Sequence, residues 1–404
     1  MTQPRHIGLF LSGLAGGGAQ RRMSTLARGF AALGHRVDLV VVDAQGPFRS
    51  ALAPDVHLVE LGSRLAHLPG IAPRRGLWVP TAAPRLARYL RSERPCALLA
   101  TSNPANLAAV WARRRAHVPT ALVLSVNLDP SAATGRRQRA WRWLLRALVR
   151  RAYPRADRLV ALSQGVADSL ETLAKVPRRR IAVVHNPIDV DAIREQARAP
   201  LSHRWLRPGQ PPLVLAVGKL KRQKDFPTLL RAFARVRAQR PAHLVILGEG
   251  EERHHLEALA RRLGIAAEME LPGFTQNPFA WMSRASLLVS SSAWEGFSNV
   301  LAEALACACP VVATDCPSGP AEILEGGRLA PLVPVGDDEA MANAILQVLA
   351  HPPERNVLRR RAQDFSVDQA VRGYLTVIEA AVAEVETGAG APARGHHACR
   401  AKND

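Results

Sequence analysis

Residues 287–324 read LLVSSSAWEGFSNVLAEALACACPVVATDCPSGPAEIL, and this stretch decides how the chain is expected to fold. Leu287, Leu288 and Val289 form an apolar run that closes in three serines, the pattern of a buried strand. Residues 299–308 follow it as a short helix, with a polar turn containing Gly296 in between. Ser298 stands where a helix cap belongs. It would aim the amides of Asn299, Val300 and Leu301, with the positive end of the helix dipole, into the space above the strand. An anionic group is the expected occupant of that space. Glu295 precedes the helix and Glu303 lies inside it, so the two do not stack on one helical face; they can touch two ends of one bound molecule.

A chain of 404 residues is too long for one core and suits two domains, with 48 % hydrophobic residues to fill them. The net charge of +20, from 54 Lys and Arg against 34 Asp and Glu, predicts attraction to polyanions or to anionic membrane and says nothing of fold. The five cysteines (Cys96, Cys307, Cys309, Cys316, Cys399) are scattered without a CxxC pair, which argues against both a disulfide framework and zinc. A reducing cytosol is the expected compartment. No apolar run is long enough to span a bilayer, and the opening IGLFLSGLAG reads as a first strand and turn rather than a signal peptide, because the next helix and strand need it as a partner.

In the first half, 7–11 is a strand, 13–18 a glycine turn, 20–33 a helix ended by Gly34, and 37–42 a second strand. The run Gly16, Gly17, Gly18 lets a ligand approach the backbone, but its spacing does not fit the GxGxxG of a dinucleotide site. Further strands are expected at 97–100, 120–125, 158–162 and 181–184, giving a parallel sheet covered by helices. Residues 136–158 hold nine arginines against one acid, with Trp141, Leu144, Leu145 and Leu148 on one side of the helical wheel and Arg139, Arg142, Arg146 and Arg150 on another. Such a helix suits either an anionic membrane surface or packing on the sheet with a solvated basic face. Nucleic acid is not an expected partner, since no aromatic-and-basic platform accompanies the charge. Asp189 and Asp191 form a DxD that could hold a divalent metal; its place in a turn between domains argues against that, and no metal site is expected.

A Pro-rich polar segment at 200–212 precedes a new strand, LVLAV, at 213. That strand runs into Gly218, Lys219, Leu220, Lys221, Arg222, Gln223 and Lys224, and Pro227 then opens a helix. Cations placed so suit a diphosphate. Strands at 243–247, 268–271, 287–290, 310–314 and 329–335 follow, Asp337 caps a late helix, and 370–386 is a terminal helix. The expected division is 1–191 as a first α/β domain, 192–369 as a second, 370–387 as a terminal helix, and 388–404 as a disordered tail.

Taken together, these residues resemble the retaining glycosyltransferases called GT4, whose GT-B architecture has two Rossmann-like domains facing each other across a cleft. The likeness runs from Gly16 to the terminal helix, and its most specific part is the E-x7-E pattern of Glu295 and Glu303, with a Gly-Lys-x4-Lys loop upstream and the glycine triplet before that. The resemblance implies a metal-independent enzyme without a cofactor, whose nucleotide sugar is a substrate. Glu295 would contact donor-sugar hydroxyls, Glu303 the ribose hydroxyls, and Lys219 and Lys224 the diphosphate. Gly218 shapes that loop, the backbone of Gly296, Phe297, Ser298, Asn299, Val300 and Leu301 would receive sugar and phosphates, and Gly17 and Gly18 would lie near donor or acceptor. In catalysis Glu295, Lys219 and Lys224 are the implied residues.

The segment Cys316, Pro317, Ser318, Gly319, Pro320 with Glu322 looks like that of members using UDP-linked hexoses or N-acetylhexosamines. Many relatives carry Arg where Lys219 stands and His where Asn127 stands. The implied function is transfer of a hexose or N-acetylhexosamine to a glycan or polyprenyl-linked acceptor in cell-envelope polysaccharide synthesis, in the cytoplasm or on the inner membrane face. Two alternatives remain open from sequence: an enzyme like the UDP-N-acetylglucosamine 2-epimerases, and a non-catalytic basic membrane-surface protein.

Overall fold

In a computed structural model of the chain, the described residues are 4–14, 18–46, 49, 52–62, 79–127 and 139–388. Gly16 and Gly17, the start of the basic segment at 136–138 and the tail from 389 lie outside them. The strands are His6–Gly13 (β1), Arg36–Asp43 (β2), Val56–Glu60 (β3), Ala97–Thr101 (β4), Ala121–Val126 (β5), Arg158–Ala161 (β6), Ile181–Val183 (β7), Leu213–Val217 (β8), His243–Leu247 (β9), Met269–Gly273 (β10), Leu287–Ser290 (β11), Val311–Thr314 (β12) and Leu332–Val333 (β13). They form a seven-stranded sheet in the order β3-β2-β1-β4-β5-β6-β7 and a six-stranded sheet in the order β10-β9-β8-β11-β12-β13. β1 pairs in parallel with β2 and β4, and β8 with β9 and β11.

Each first strand is central because the chain winds outward on one side, returns, and winds outward on the other, which right-handed crossovers through helices allow. β1, β4 and β5 are almost wholly buried, as parallel strands covered on both faces must be. β3 was not expected from the sequence. Its residues VHLVE alternate weakly, and it is an edge strand whose outer side chains are exposed or half-buried. β13 is also shorter than the expected 329–335.

By density of contacts the chain falls into two units, one of residues 1–125, 147–160 and 374–404, the other of residues 126–146 and 161–373. In the first, the terminal helix Val367–Glu386 contributes Tyr374, whose hydroxyl meets the Ser125 hydroxyl at 3.0 Å, and Glu384, which accepts from Arg158. At the amino ends of β1 and β2, Asp38 is fully buried and accepts from His6 Nε2 and from the Tyr89 hydroxyl, both at 2.7 Å. Burial alone would raise that carboxyl, but the two hydrogen bonds and the nearby charges of His6 and Arg36 outweigh it and hold its pKa at about 2. The second unit packs its sheet between two apolar layers, with Leu215, Val245, Leu288 and Val311 facing one and Val214, Leu244, Leu287 and Val312 facing the other.

The basic helix is Arg139–Ala152, and among its described side chains Trp143 is 74 % and Leu144 43 % exposed while Val149 is buried. Arg146, Arg150 and Arg151 are exposed beside them. No helix of the described residues is long and apolar enough to cross a membrane.

Candidate active site

In the second sheet β8 is followed by β9 and β10 on one side, and β11 lies on the other. Loops leaving the carboxyl ends of β8 and β11 therefore part from one another, and the crevice between them is where ligands of open α/β sheets bind. The loop after β8, residues 218–225, is packed against the turn after β9 by glycines. A Cβ at Gly248, whose φ is +146°, would stand 1.9 Å from the Gly218 carbonyl oxygen, and one at Gly250 would stand 2.3 Å from that of Leu220. Only glycine permits so close an approach. A Cβ at Gly218 would press on the Lys224 side chain at 3.0 Å, so this glycine leaves room for the lysine to fold back along its own loop.

Lys224 Nζ donates to Glu295 Oε1 at 2.6 Å and so ties the loop after β8 to the turn after β11. The same oxygen accepts from the Ser292 hydroxyl at 2.8 Å. Gln223 Nε2 donates to the Trp294 carbonyl at 2.8 Å and reaches Glu295 Oε2 at 3.4 Å, while Ala293 N donates to the Gln223 carbonyl. Ser291 Oγ donates to the Lys224 carbonyl at 2.7 Å. Glu295 is 9 % exposed, and these donors satisfy the hydrogen-bonding capacity of a carboxylate so placed. Lys219 is exposed on the same loop, and Lys221 is half-buried between them. Burial first, then the charges of Lys224 and Lys219, lower the Lys221 pKa despite the opposing pull of Glu295. Ammonium groups crowded in this way carry an excess of positive charge that an added anion relieves.

Ser298 occupies the N-cap position of the helix Asn299–Ala306, but its hydroxyl accepts from none of the helix amides. It is buried without a hydrogen-bond partner among the described residues, which corrects the expected side-chain cap. Leu301 N donates to the Ser298 carbonyl at 3.1 Å, so the amides that open the helix are those of Asn299 and Val300 and not Leu301. Phe297 and Leu301 turn their side chains into the core and can offer a ligand only backbone. Gly296 is buried beside them. Glu303 is half-buried in the second turn, next to Cys307, whose thiol is pushed up to about 12 by burial and by the Glu303 carboxylate.

Gly18 opens the helix Gly18–Ala32 in the first unit, and Gly17 is outside the described residues. The Asp of the DxD at 189 is a helix cap: its side chain accepts from Ala192 N at 3.2 Å, and the Asp191 side chain is 96 % exposed. Sequence reasoning named Gln223 without its contacts, missed Ser292 and His185 as site residues, and read Glu322 only as part of the segment at 316–322. The serine run at 290–292 was a signal for Ser292; the others belong to segments far apart in the chain.

The family models agree with this geometry. Residues 16–192 match the model described as Glycosyltransferase Family 4, and residues 211–351 the one described as Glycosyl transferases group 1. Each half of the chain thus matches a glycosyltransferase model. It is similar to the N-acetylgalactosamine-N,N'-diacetylbacillosaminyl-diphospho-undecaprenol 4-alpha-N-acetylgalactosaminyltransferase of Campylobacter jejuni, 31 % identical over 216 residues, which are 54 % of this chain and 57 % of that protein. It is similar also to the lipopolysaccharide core biosynthesis glycosyltransferase LpsE of Rhizobium meliloti, 30 % identical over 54 % of this chain and 62 % of that one. The chain thus spans about three fifths of the length of these two curated relatives. Among solved structures, Anabaena HepE in complex with UDP and glucose superposes with a TM-score of 0.73 at 19 % identity, covering 93 % of this chain and 99 % of that one. The fold is GT-B, an α/β architecture with two Rossmann-like sheets.

Proposed function

We propose that this chain transfers a hexose or N-acetylhexosamine from a nucleotide sugar, most readily a UDP-sugar, to a glycan or lipid-linked glycan acceptor in envelope polysaccharide synthesis. The observation that carries the reading is the 2.6 Å bond from Lys224 to Glu295 at the parting of β8 and β11, with Lys219 and Lys221 on the same loop. Relatives named for an undecaprenol-linked glycan and for lipopolysaccharide core biosynthesis, and a neighbour titled as a complex with UDP and glucose, support the acceptor and donor classes.

In this reading the diphosphate gains negative charge as the glycosidic bond breaks. The ammonium groups of Lys219 and Lys224 and the amides of Asn299 and Val300 take up that charge, without a metal ion or cofactor. The acceptor hydroxyl attacks the same face that the diphosphate leaves, its proton passes to the departing phosphate oxygen, and the anomeric configuration is retained. Glu295 orients sugar hydroxyls and is not the base. Glu303 holds the ribose hydroxyls. The division at 191 and 369, with the last helix returning to the first domain, belongs to the same reading.

The enzyme would work in the cytoplasm, seated on the inner membrane face through the helix Arg139–Ala152, where exposed Trp143 and Leu144 lie beside Arg146, Arg150 and Arg151. Nucleotide release from a panel of UDP-, GDP- and ADP-sugars, with and without membrane lipid extract, tests the function. Release from one donor, dependent on extract, is expected; no release from any donor contradicts it. For the surface, phosphatidylglycerol vesicles should retain the parent chain and lose most of a Trp143→Ala, Arg146→Glu variant, while equal retention removes this role.

A further inference from the structure

Beside the turn that carries Glu295, a second group of side chains is not used by the reaction as proposed. Glu322 accepts from Gln164 N at 2.6 Å with one carboxylate oxygen and from His185 Nε2 at 3.1 Å with the other. Gln164 opens the helix Gln164–Ala174, whose cap is the Ser163 hydroxyl, so the carboxylate sits against the positive end of that helix. His185 follows β7. Its ring packs on Phe297, centroids 5.4 Å apart, and meets Phe365 edge-on at 5.3 Å. The next residue, Asn186, donates its side-chain amide to the Asn299 side-chain oxygen at 2.8 Å.

From the other side the backbone of the same turn is pressed by Gly319. There φ is +97°, and a Cβ would stand 3.0 Å from Phe297 Cα and 3.3 Å from Ser298 N. Ser318, also at positive φ, lies so close to Gly165 that a Cβ there would stand 2.5 Å from its hydroxyl. Arg361 fixes the far end of this segment by donating to the Glu322 and Ile323 carbonyls. Residues 297–299 are thus held between the end of β7 and the turn at 318–322.

We infer that His185 and Glu322 are positioning residues that hold the 296–299 turn in the shape that receives the donor sugar. This rests on the proposed donor site. Lys219 and Lys224 lie on a different loop, packed against the turn after β9, and none of the bonds described here reaches it. Losing the His185–Glu322 bond lets Phe297 shift while the lysines keep their own loop, so the sugar side is disturbed more than the diphosphate side. A hydrogen bond to a charged group is worth about tenfold in affinity.

Calorimetry with UDP, and with UDP-glucose, UDP-galactose, UDP-N-acetylglucosamine and UDP-N-acetylgalactosamine, separates the two. His185→Ala and Glu322→Gln should weaken the preferred UDP-sugar by about tenfold and UDP by less than about twofold. His185→Gln, which keeps a donor toward Glu322, should recover most of the loss. Variants that weaken UDP and UDP-sugar equally, or neither, overturn the inference while leaving the donor site intact. A parent chain that binds neither UDP nor any of the four sugars overturns the donor site itself, and this inference with it.

Discussion

The two sheets of this protein repeat one winding pattern, β3-β2-β1-β4-β5 in the first and β10-β9-β8-β11-β12 in the second, yet the residues that follow their central strands differ in charge. Residues 13–18 after β1 read GLAGGG and carry no charge. Residues 218–224 after β8 read GKLKRQK and carry four cations, one of them bonded to a carboxylate of the neighbouring turn. The amino ends differ too. In the first sheet Asp38 is buried among His6, His57 and Tyr89. In the second His243 stacks on Trp205 at 4.3 Å. The winding is shared by both halves and the loop chemistry is not, so an anion is proposed for the second alone.

The largest effect should come from removing the link that distinguishes the second loop. Lys224→Ala removes a cation proposed to meet the diphosphate and leaves Glu295, among the described residues, with Ser292 and Gln223. Donor turnover should fall about 10-fold to 150-fold, roughly 1.5 to 3 kcal/mol. Unchanged turnover in a folded variant would erase the difference between the loops.

Asp38 sharpens the comparison from the first half. Its folded pKa, about 2, lies below the unfolded carboxylate value, so its contribution is present above pH ~4 and is lost as pH falls from there toward 2. Chemical denaturation of the parent should show roughly 2 kcal/mol of that loss, and Asp38→Asn should flatten it. An unaltered acid limb in the variant would place the loss elsewhere.

Glu303→Ala should weaken UDP binding about tenfold by calorimetry. Equal binding would remove the ribose role. The smallest effect is expected of Lys219→Arg, which replaces a point charge by a fork on an exposed stretch of loop and should change UDP affinity by no more than about threefold. A large change in either direction would show that Lys219 makes a directed contact.

Much of this was legible in the sequence because it is local. Apolar runs closed by Gly or Ser marked β1, β8, β9 and β11, and Asp337 caps its helix through Ala340 N at 2.8 Å as its position suggested. The lysine loop was readable as residues but not as a geometry, for Lys224 meets Glu295 across 71 positions of chain. Ser298 has the right type and place for a cap, yet its hydroxyl accepts from no helix amide, which residue type alone does not foretell. β3 escaped because an edge strand need not alternate, and the His185–Glu322 pair because no spacing relates residues 137 apart.

The claim on which the account rests is that ammonium and amide groups of the second unit grip a nucleotide's diphosphate. Titration of UDP and of uridine into the parent chain and into a Lys219→Ala, Lys224→Ala double variant measures that grip. UDP should bind the parent at least about 100-fold more tightly than uridine does, and the double variant should lose most of that advantage. A parent that binds the two alike, or a double variant that keeps the full preference for UDP, would contradict it.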